Sequence, residues 1–579
     1  MPQTTPAMKK SPRRQNAADQ TSPALERQAL EFLWSADPVR ASLLGLEEYD
    51  PFLPRTDPGV RTDFRRQAAD LLGRLERLPH APDATPLERA ERWAMESLLR
   101  VPLVLEEEFS PYTRNPALYL EGLLQGLYIL FQRPGRLDQA RGRSVLSRLR
   151  EGVRLLGEAR VNLQPHATRV PPCWAQAALR LAAGGKALVT QGAETLRREV
   201  PGLAEEAESE TARLLRAIEE FGTFVRQEIL PRARGNFSAG RDLFHFLLRE
   251  EHRLPYRDVD LLEWGWHEIR ETRRELESVG RGIDPGRGWR AILEDLKLDH
   301  PGMDGLLPAY RQEVERARRF VREHALASIP EQDLAVEETP EFERSVAPFA
   351  AYLPPAPFGR RRRGCLWVTP PGGHLAARER EEALRDHCRF RIPITVLHET
   401  YPGHHLQFSH ICDLRSDVRR QYATPVSVEG WALYCEEMML EQGFLPDPRS
   451  RLCQLRDHLW RACRVVLDVR LHTQSLDLEE AARMLVEEAA LQAPNAAAEV
   501  GRYTHTPTQP LSYLIGKREI QALRREVERA RGTQFRLGEF HDQFLSLGAL
   551  PLSFAREILL AAAAAPSLTP APDLAPVTA

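Results

Sequence analysis

Apolar residues recur every three to four positions over long stretches of this chain, and that period confines most of it to amphipathic helices. TDFRRQAADLLGRLERL (62–78), PLERAERWAMESLLRVPLVLEEEF (86–109) and SETARLLRAIEEFGTFVRQEIL (209–230) are examples. Proline-rich breaks near 79–86, 231–240 and 353–357 read as connections between helices, and no fixed-period repeat suggests a solenoid. One segment departs from the rule: RRRRGCLWVTPPGG (360–373) has an apolar CLWV core between arginines and a Pro-Gly turn, which predicts a short strand. Arg360 to Arg363 read as its solvated entry. The expectation is a mainly α fold with a cleft and a short edge strand or small sheet.

Polar and Pro/Ala-rich composition sets apart two tails, 1–24 and 563–579, which offer too little apolar surface to offset ordering entropy. Between them lie an expected helical half, 25–334, enclosing a cleft, and a half bearing the chemistry, 335–562. A net charge of −3 gives no global field for nucleic acid or anionic membrane. Seven scattered cysteines without CxxC spacing predict reduced thiols and a cytoplasmic protein. The N-terminus lacks the apolar run of a signal peptide, and no run approaches the roughly 18 to 20 apolar residues of a membrane span. The oligomeric state is left open.

HETYPGHHLQ (398–407) concentrates the chemistry. His-Glu followed by His is how many zinc hydrolases write their metal site, with the second His four residues after the first. Position 402 is instead Pro. On a straight helix at about 100° per residue, His404 points roughly 120° away from His398, and His405 lies about 10.5 Å along the axis, too far to share an ion. Pro402 and Gly403 supply a deformation that would bring His404 into place: a bulged turn absorbing two residues. Burying Pro-Gly in a regular helix costs about 3 to 4 kcal/mol relative to alanine, so the pair argues for a purpose. His405 remains the rival second ligand.

The third ligand is expected from a following helix, where PVSVEGWALYCEEM (425–438) offers Glu429. The set His398, His404 and Glu429 for one Zn²⁺ leaves Glu399 as general base towards the open coordination position.

HETYPGHHLQ followed by EGWALYCE resembles the bacterial domain of unknown function 885 family, with weaker likeness along most of the chain, including 233–256 and 502–520. The family is similar to zinc metallopeptidases of the HExxH kind. The resemblance implies His398, His404 and Glu429 as ligands and Glu399 as base. It departs from the family pattern late in the chain, at Thr508 and Leu514, which bears on substrate preference rather than on the metal.

Further candidates surround this set. Arg464, Asp468 and His472 fall on one helix face, as an exposed ion-pair ladder, with Asp468 accepting from a zinc-bound imidazole, or as part of the pocket wall beside the substrate. Tyr513, with Tyr503 and His505 as alternatives, is the expected donor to a tetrahedral oxyanion. Arg502, Lys517 and Arg518 are either carboxylate-binding cations or ordinary surface charges. CLWV reads as an edge strand able to pair with an extended peptide. Together these predict a zinc metallopeptidase of carboxypeptidase or oligopeptidase type acting on small peptides or chain termini. A metallohydrolase for another small amide and a catalytically silent helical binding protein are the alternatives.

Overall fold

The computed structural model describes residues 22–79, 82–133, 135–339, 349–360, 362–372 and 375–564. Most of the expected tails, 1–24 and 563–579, lies outside the described residues, but a helix runs over Ser22–Ala36 and another over Leu552–Ala564, so described helix reaches a few residues into each. The three periodic segments form helices at Pro58–Arg77, Pro86–Val104 and Ala204–Phe224. The latter two each continue into one wider turn, Leu105–Phe109 and Val225–Ile229. Pro58 and Pro86 stand in the first turn, where a missing N–H costs no helical bond, and Thr85 and Glu88 close a capping box.

The chain is mainly helical, with a small sheet. Its strands are β1 (Asp333–Glu338), β2 (Ala350–Leu353) and β3 (Arg363–Val368), in the spatial order β1-β3-β2. β3 is parallel to β1 and antiparallel to β2. CLWV is therefore the central strand, not an edge; both its sides are already hydrogen-bonded, which removes it as a template for an incoming peptide. Arg363 at its entry is exposed and pairs with Glu337, as a solvated strand start should.

Alternation assigns the two faces of β3. Leu366 and Val368 enter the main apolar core, while Arg363, Cys365 and Trp367 line a cleft of about 1110 Å³ together with Tyr128, Phe131 and Arg133. The core division also differs from the expected one at 334. One apolar cluster runs from Phe244 to Leu559 and crosses that position, whereas a second is drawn from Val39 to Ala233. Residues 241–334 thus pack with the later half, because the helix Asp258–Ile283 lies along the buried helix Pro448–Thr473, where Gly265 leaves room for Val466.

Five helices of that core carry the candidate site: α1 (Ile392–Glu399), α2 (His404–Asp413), α3 (Pro425–Glu441), α4 (Pro448–Thr473) and α5 (Ser512–Arg531). Among the described residues no helix is long and apolar enough to cross a membrane.

Candidate metal centre

Pro393 opens α1 at its first turn, and the helix ends at Glu399 because Thr400 leaves the helical region at φ −124°, ψ −93°. Thr400 still donates both its N–H and its hydroxyl to the Val396 carbonyl, which closes the helix end. A cis Tyr401–Pro402 bond follows, then Gly403 and the first turn of α2. The chain is broken into two helices here; the expected bulge within one helix does not form. Gly403 is required by proximity: a Cβ there would sit 1.9 Å from the His398 carbonyl oxygen and 2.4 Å from that of Leu397.

The break is held from α3. The Trp431 indole donates to the Pro402 carbonyl at 2.9 Å, and the Cys435 thiol approaches the same oxygen at 3.6 Å. Gly430 permits the crossing of α3 with α5, since a Cβ on it would lie 2.4 Å from the Gly516 Cα. The segment Glu429-Gly430-Trp431 therefore supplies in turn a carboxylate at the site, a helix crossing and a clamp on the chain break.

Across the break the two imidazoles meet edge to face, with centroids 4.8 Å apart at 88°. His398 Nε2 is 3.7 Å and His404 Nε2 3.4 Å from Glu429 Oε2, and one donor atom from each of the three residues lies within 4.8 Å of the others. Ligand atoms at about 2.0 to 2.2 Å from a tetrahedral zinc stand roughly 3.3 to 3.6 Å from one another, a spacing that the two imidazole–carboxylate distances of 3.7 and 3.4 Å approach. His398 Nδ1 lies 2.8 Å from Glu436 Oε1, so Nδ1 would keep its proton and Nε2 would give up its own to a cation bound there. His404 Nδ1 is buried and has no hydrogen-bond partner among the described residues.

Electrostatics favour a cation at this point. Burial opposes a charged His398, yet the Glu429 and Glu436 carboxylates and the field of Glu399 overcome it and raise the imidazole to about 10. Burial likewise opposes a charged Glu429, but the nearby His398 and His404 imidazoles hold the carboxyl far below the usual range. Glu399 is half-buried at the end of α1, next in sequence to His398. The Tyr513 ring stacks on His398 at 6.3 Å and 15°, and burial, then the Glu429 charge, raises its hydroxyl pKa, so it remains protonated.

His405 lies elsewhere. Its Nδ1 pairs with the Tyr352 hydroxyl at 2.9 Å, its ring packs on Tyr401, and Gly364 of β3 leaves the space it fills. The structure thus brings His404, not His405, to His398 and Glu429.

The remaining candidates separate in a similar way. Arg464, Asp468 and His472 are all buried, which removes the exposed ladder. Asp468 accepts from the Thr508 and Leu511 N–H groups, at 3.2 and 3.1 Å, so it does not orient a ligand of the cluster. His472 donates from Nε2 to the Tyr503 carbonyl and accepts at Nδ1 from the Ala239 N–H. The acceptor for the His398 imidazole is Glu436, which sequence reasoning missed although it closes EGWALYCE seven residues after Glu429, on the same face of α3.

Tyr503 is buried and accepts from Arg464 and Trp460, while His505 meets Asn115 and Trp174, away from the cluster. Arg502 pairs with Glu499, Lys517 with Glu437 and His458, and Arg518 lies over Trp264. Thr508 holds His252 at 2.8 Å, and Leu514 is buried in the core. None of His398, His404 and Glu429 lines the large cleft on the far face of the sheet.

Among curated proteins none matches the chain. Two solved structures share the fold. A putative lipoprotein of unknown function from Shewanella oneidensis is 21% identical with a TM-score of 0.77, over 93% of this chain and 100% of that one. A putative lipoprotein from Colwellia psychrerythraea is 18% identical with a TM-score of 0.82, over 93% and 98%. A family profile described as a bacterial protein of unknown function matches residues 38–559, and the chain belongs to that family, the domain of unknown function 885.

Proposed function

We propose that the protein is a zinc-dependent hydrolase of peptide bonds, working on small peptides or chain termini. The observation that carries this reading is the convergence of His398 Nε2, His404 Nε2 and Glu429 Oε2, with the opposite nitrogen of His398 engaged by Glu436. Two neutral imidazoles and one carboxylate are a ligand set of hydrolytic rather than closed structural zinc sites. A zinc held there supplies Lewis acidity, which polarises a carbonyl and acidifies a water.

The chain's own groups supply the proton traffic. A carboxylate oxygen of Glu399 takes the proton of the attacking water and later delivers it to the departing amine nitrogen. The Tyr513 hydroxyl, kept protonated by burial and by Glu429, donates to the oxygen on which negative charge develops. Glu436 keeps the His398 proton on Nδ1, so that Nε2 stays a donor.

Metal analysis of protein purified without added zinc tests the reading. About one equivalent of zinc per chain is expected, lost in His404→Ala and retained in His405→Ala. A metal-free wild-type protein that also fails to take up zinc on titration would refute it. A peptide-library digest then separates peptide from other amide substrates.

A further inference from the structure

Beside the cluster, α4 holds an arginine whose hydrogen bonding is incomplete. Arg464 is 4% exposed. Its Nε donates to the Tyr503 hydroxyl at 2.9 Å and its Nη2 to Glu499 at 3.0 Å, which fix the plane of the guanidinium. Nη1 is buried with no partner among the described residues. A cation out of water normally fills all its donors, so a free edge on an otherwise clamped arginine marks a place for an acceptor the protein does not itself supply.

The position of that edge is informative. The Arg464 Cζ lies 4.7 Å from the centre of the Tyr513 ring, which also stacks on His398 at 6.3 Å. Arg461, one turn earlier on α4, lies 5.9 Å from the same ring, and its Nε is also unpartnered among the described residues. Local acids do not cancel this charge. Glu499 is shared between Arg464 and Arg502, and Asp457 serves Arg391, Arg456 and Arg461. The Tyr513 hydroxyl makes no hydrogen bond among the described residues.

We propose that Arg464, assisted by Arg461, receives the terminal carboxylate of a peptide substrate, so that the hydrolase works from the C-terminal end. This rests on the metallopeptidase reading for the reaction, though not for the anion site. A carboxylate matches the planar fork of an arginine, and a peptide carries one at a fixed place. Through the Tyr513 ring centre, Arg464 and His398 are at most about 11 Å apart, the reach of about three extended residues at about 3.3 to 3.6 Å each. Nη1 is closed to solvent, so the bound state includes a local rearrangement that opens this edge.

The test is calorimetric binding to zinc-loaded Glu399→Gln protein, with N-acetylated tripeptides as free acids and as C-terminal amides. The acid should bind about 10- to 100-fold more tightly, the scale of a charge-assisted hydrogen bond. Arg464→Met should remove most of that preference while leaving amide affinity in place. Arg461→Met, at a less buried position, should reduce it if Arg464→Met fails to fold. Equal binding of acid and amide, no binding of either, or a preference surviving in every folded variant overturns the carboxylate site and leaves the metal reading standing. Protein that takes up no zinc but still prefers the acid, in an Arg464-dependent way, overturns the metal reading and keeps the carboxylate site.

Discussion

Glu436 accepts the Nδ1 proton of His398 from two helical turns beyond Glu429, so the carboxylate that would bind the ion and the one that orients its partner share a face of one helix. Glu436→Gln keeps the shape and weakens the acceptor. It should lower zinc affinity by about 10- to 100-fold, read by competition with a chelator, while the melting temperature of the zinc-loaded protein changes little. Glu399→Gln should do the reverse: zinc is retained, and kcat falls by about 10² to 10⁴, because an amide cannot accept the proton of the attacking water. Loss of zinc in Glu399→Gln would make that residue a ligand. His398 and His404 were legible because their spacing calls for a deformed helix, and Glu429 because EGWA offers a carboxylate one helix downstream. Glu436 was overlooked because a second carboxylate on the same helix reads as an ordinary charge until its partner nitrogen is placed.

At the scale of elements, the site depends on two close backbone approaches. Gly403 lies against the carbonyl end of α1 and Gly516 against α3, where added Cβ atoms would stand 1.9 Å from the His398 oxygen and 2.0 Å from the Val426 oxygen. Gly516→Ala should cost roughly 2 kcal/mol or more in denaturant unfolding, since neither backbone can yield without moving a helix. Gly403→Ala should also part His404 from His398, so its zinc content should fall even where the fold survives. The sequence led to the right place for the break but the wrong form, a bulge in place of two helices. Pro-Gly signals that a helix cannot continue regularly; which alternative forms is decided by Trp431, distant in sequence, gripping the Pro402 carbonyl. The strand at CLWV was similarly visible in its apolar run, whereas its central position depends on β1 and β2, which local pattern does not reveal.

For the whole molecule, buried neutral histidines tie the folded state to pH. His252 bridges Thr424 and Thr508, His472 meets the Tyr503 carbonyl, and His541 joins Tyr434 to the Leu326 carbonyl. Burial lowers them to about 3, 4 and 4 respectively, below the unfolded value of 6.5. Their contribution is complete above the unfolded pKa and is lost as pH falls towards the folded ones, because the unfolded chain then binds protons that the folded chain refuses. Each should lower stability by about 1.4 kcal/mol per pH unit in that window. Melting temperatures measured between pH 7.5 and pH 5 should fall steeply, and His541→Gln should flatten the slope by about one proton. The helical class was legible from periodicity alone. The way residues 241–334 join the later core was not, since that packing is set by contacts such as Gly265 against Val466, which no local pattern announces.

Because the chain stops and restarts between Glu399 and His404, the two imidazoles hang on separate levers with a joint between them. Ligands on one unbroken helix have a fixed bite, set by the ladder of backbone hydrogen bonds. Here the bite is a setting, and the indole of Trp431 is the pin that holds it. A torque that turns α2 against α1, applied through the sheet by way of His405 and Tyr352, would widen or narrow the gap between the two imidazoles without touching either ring.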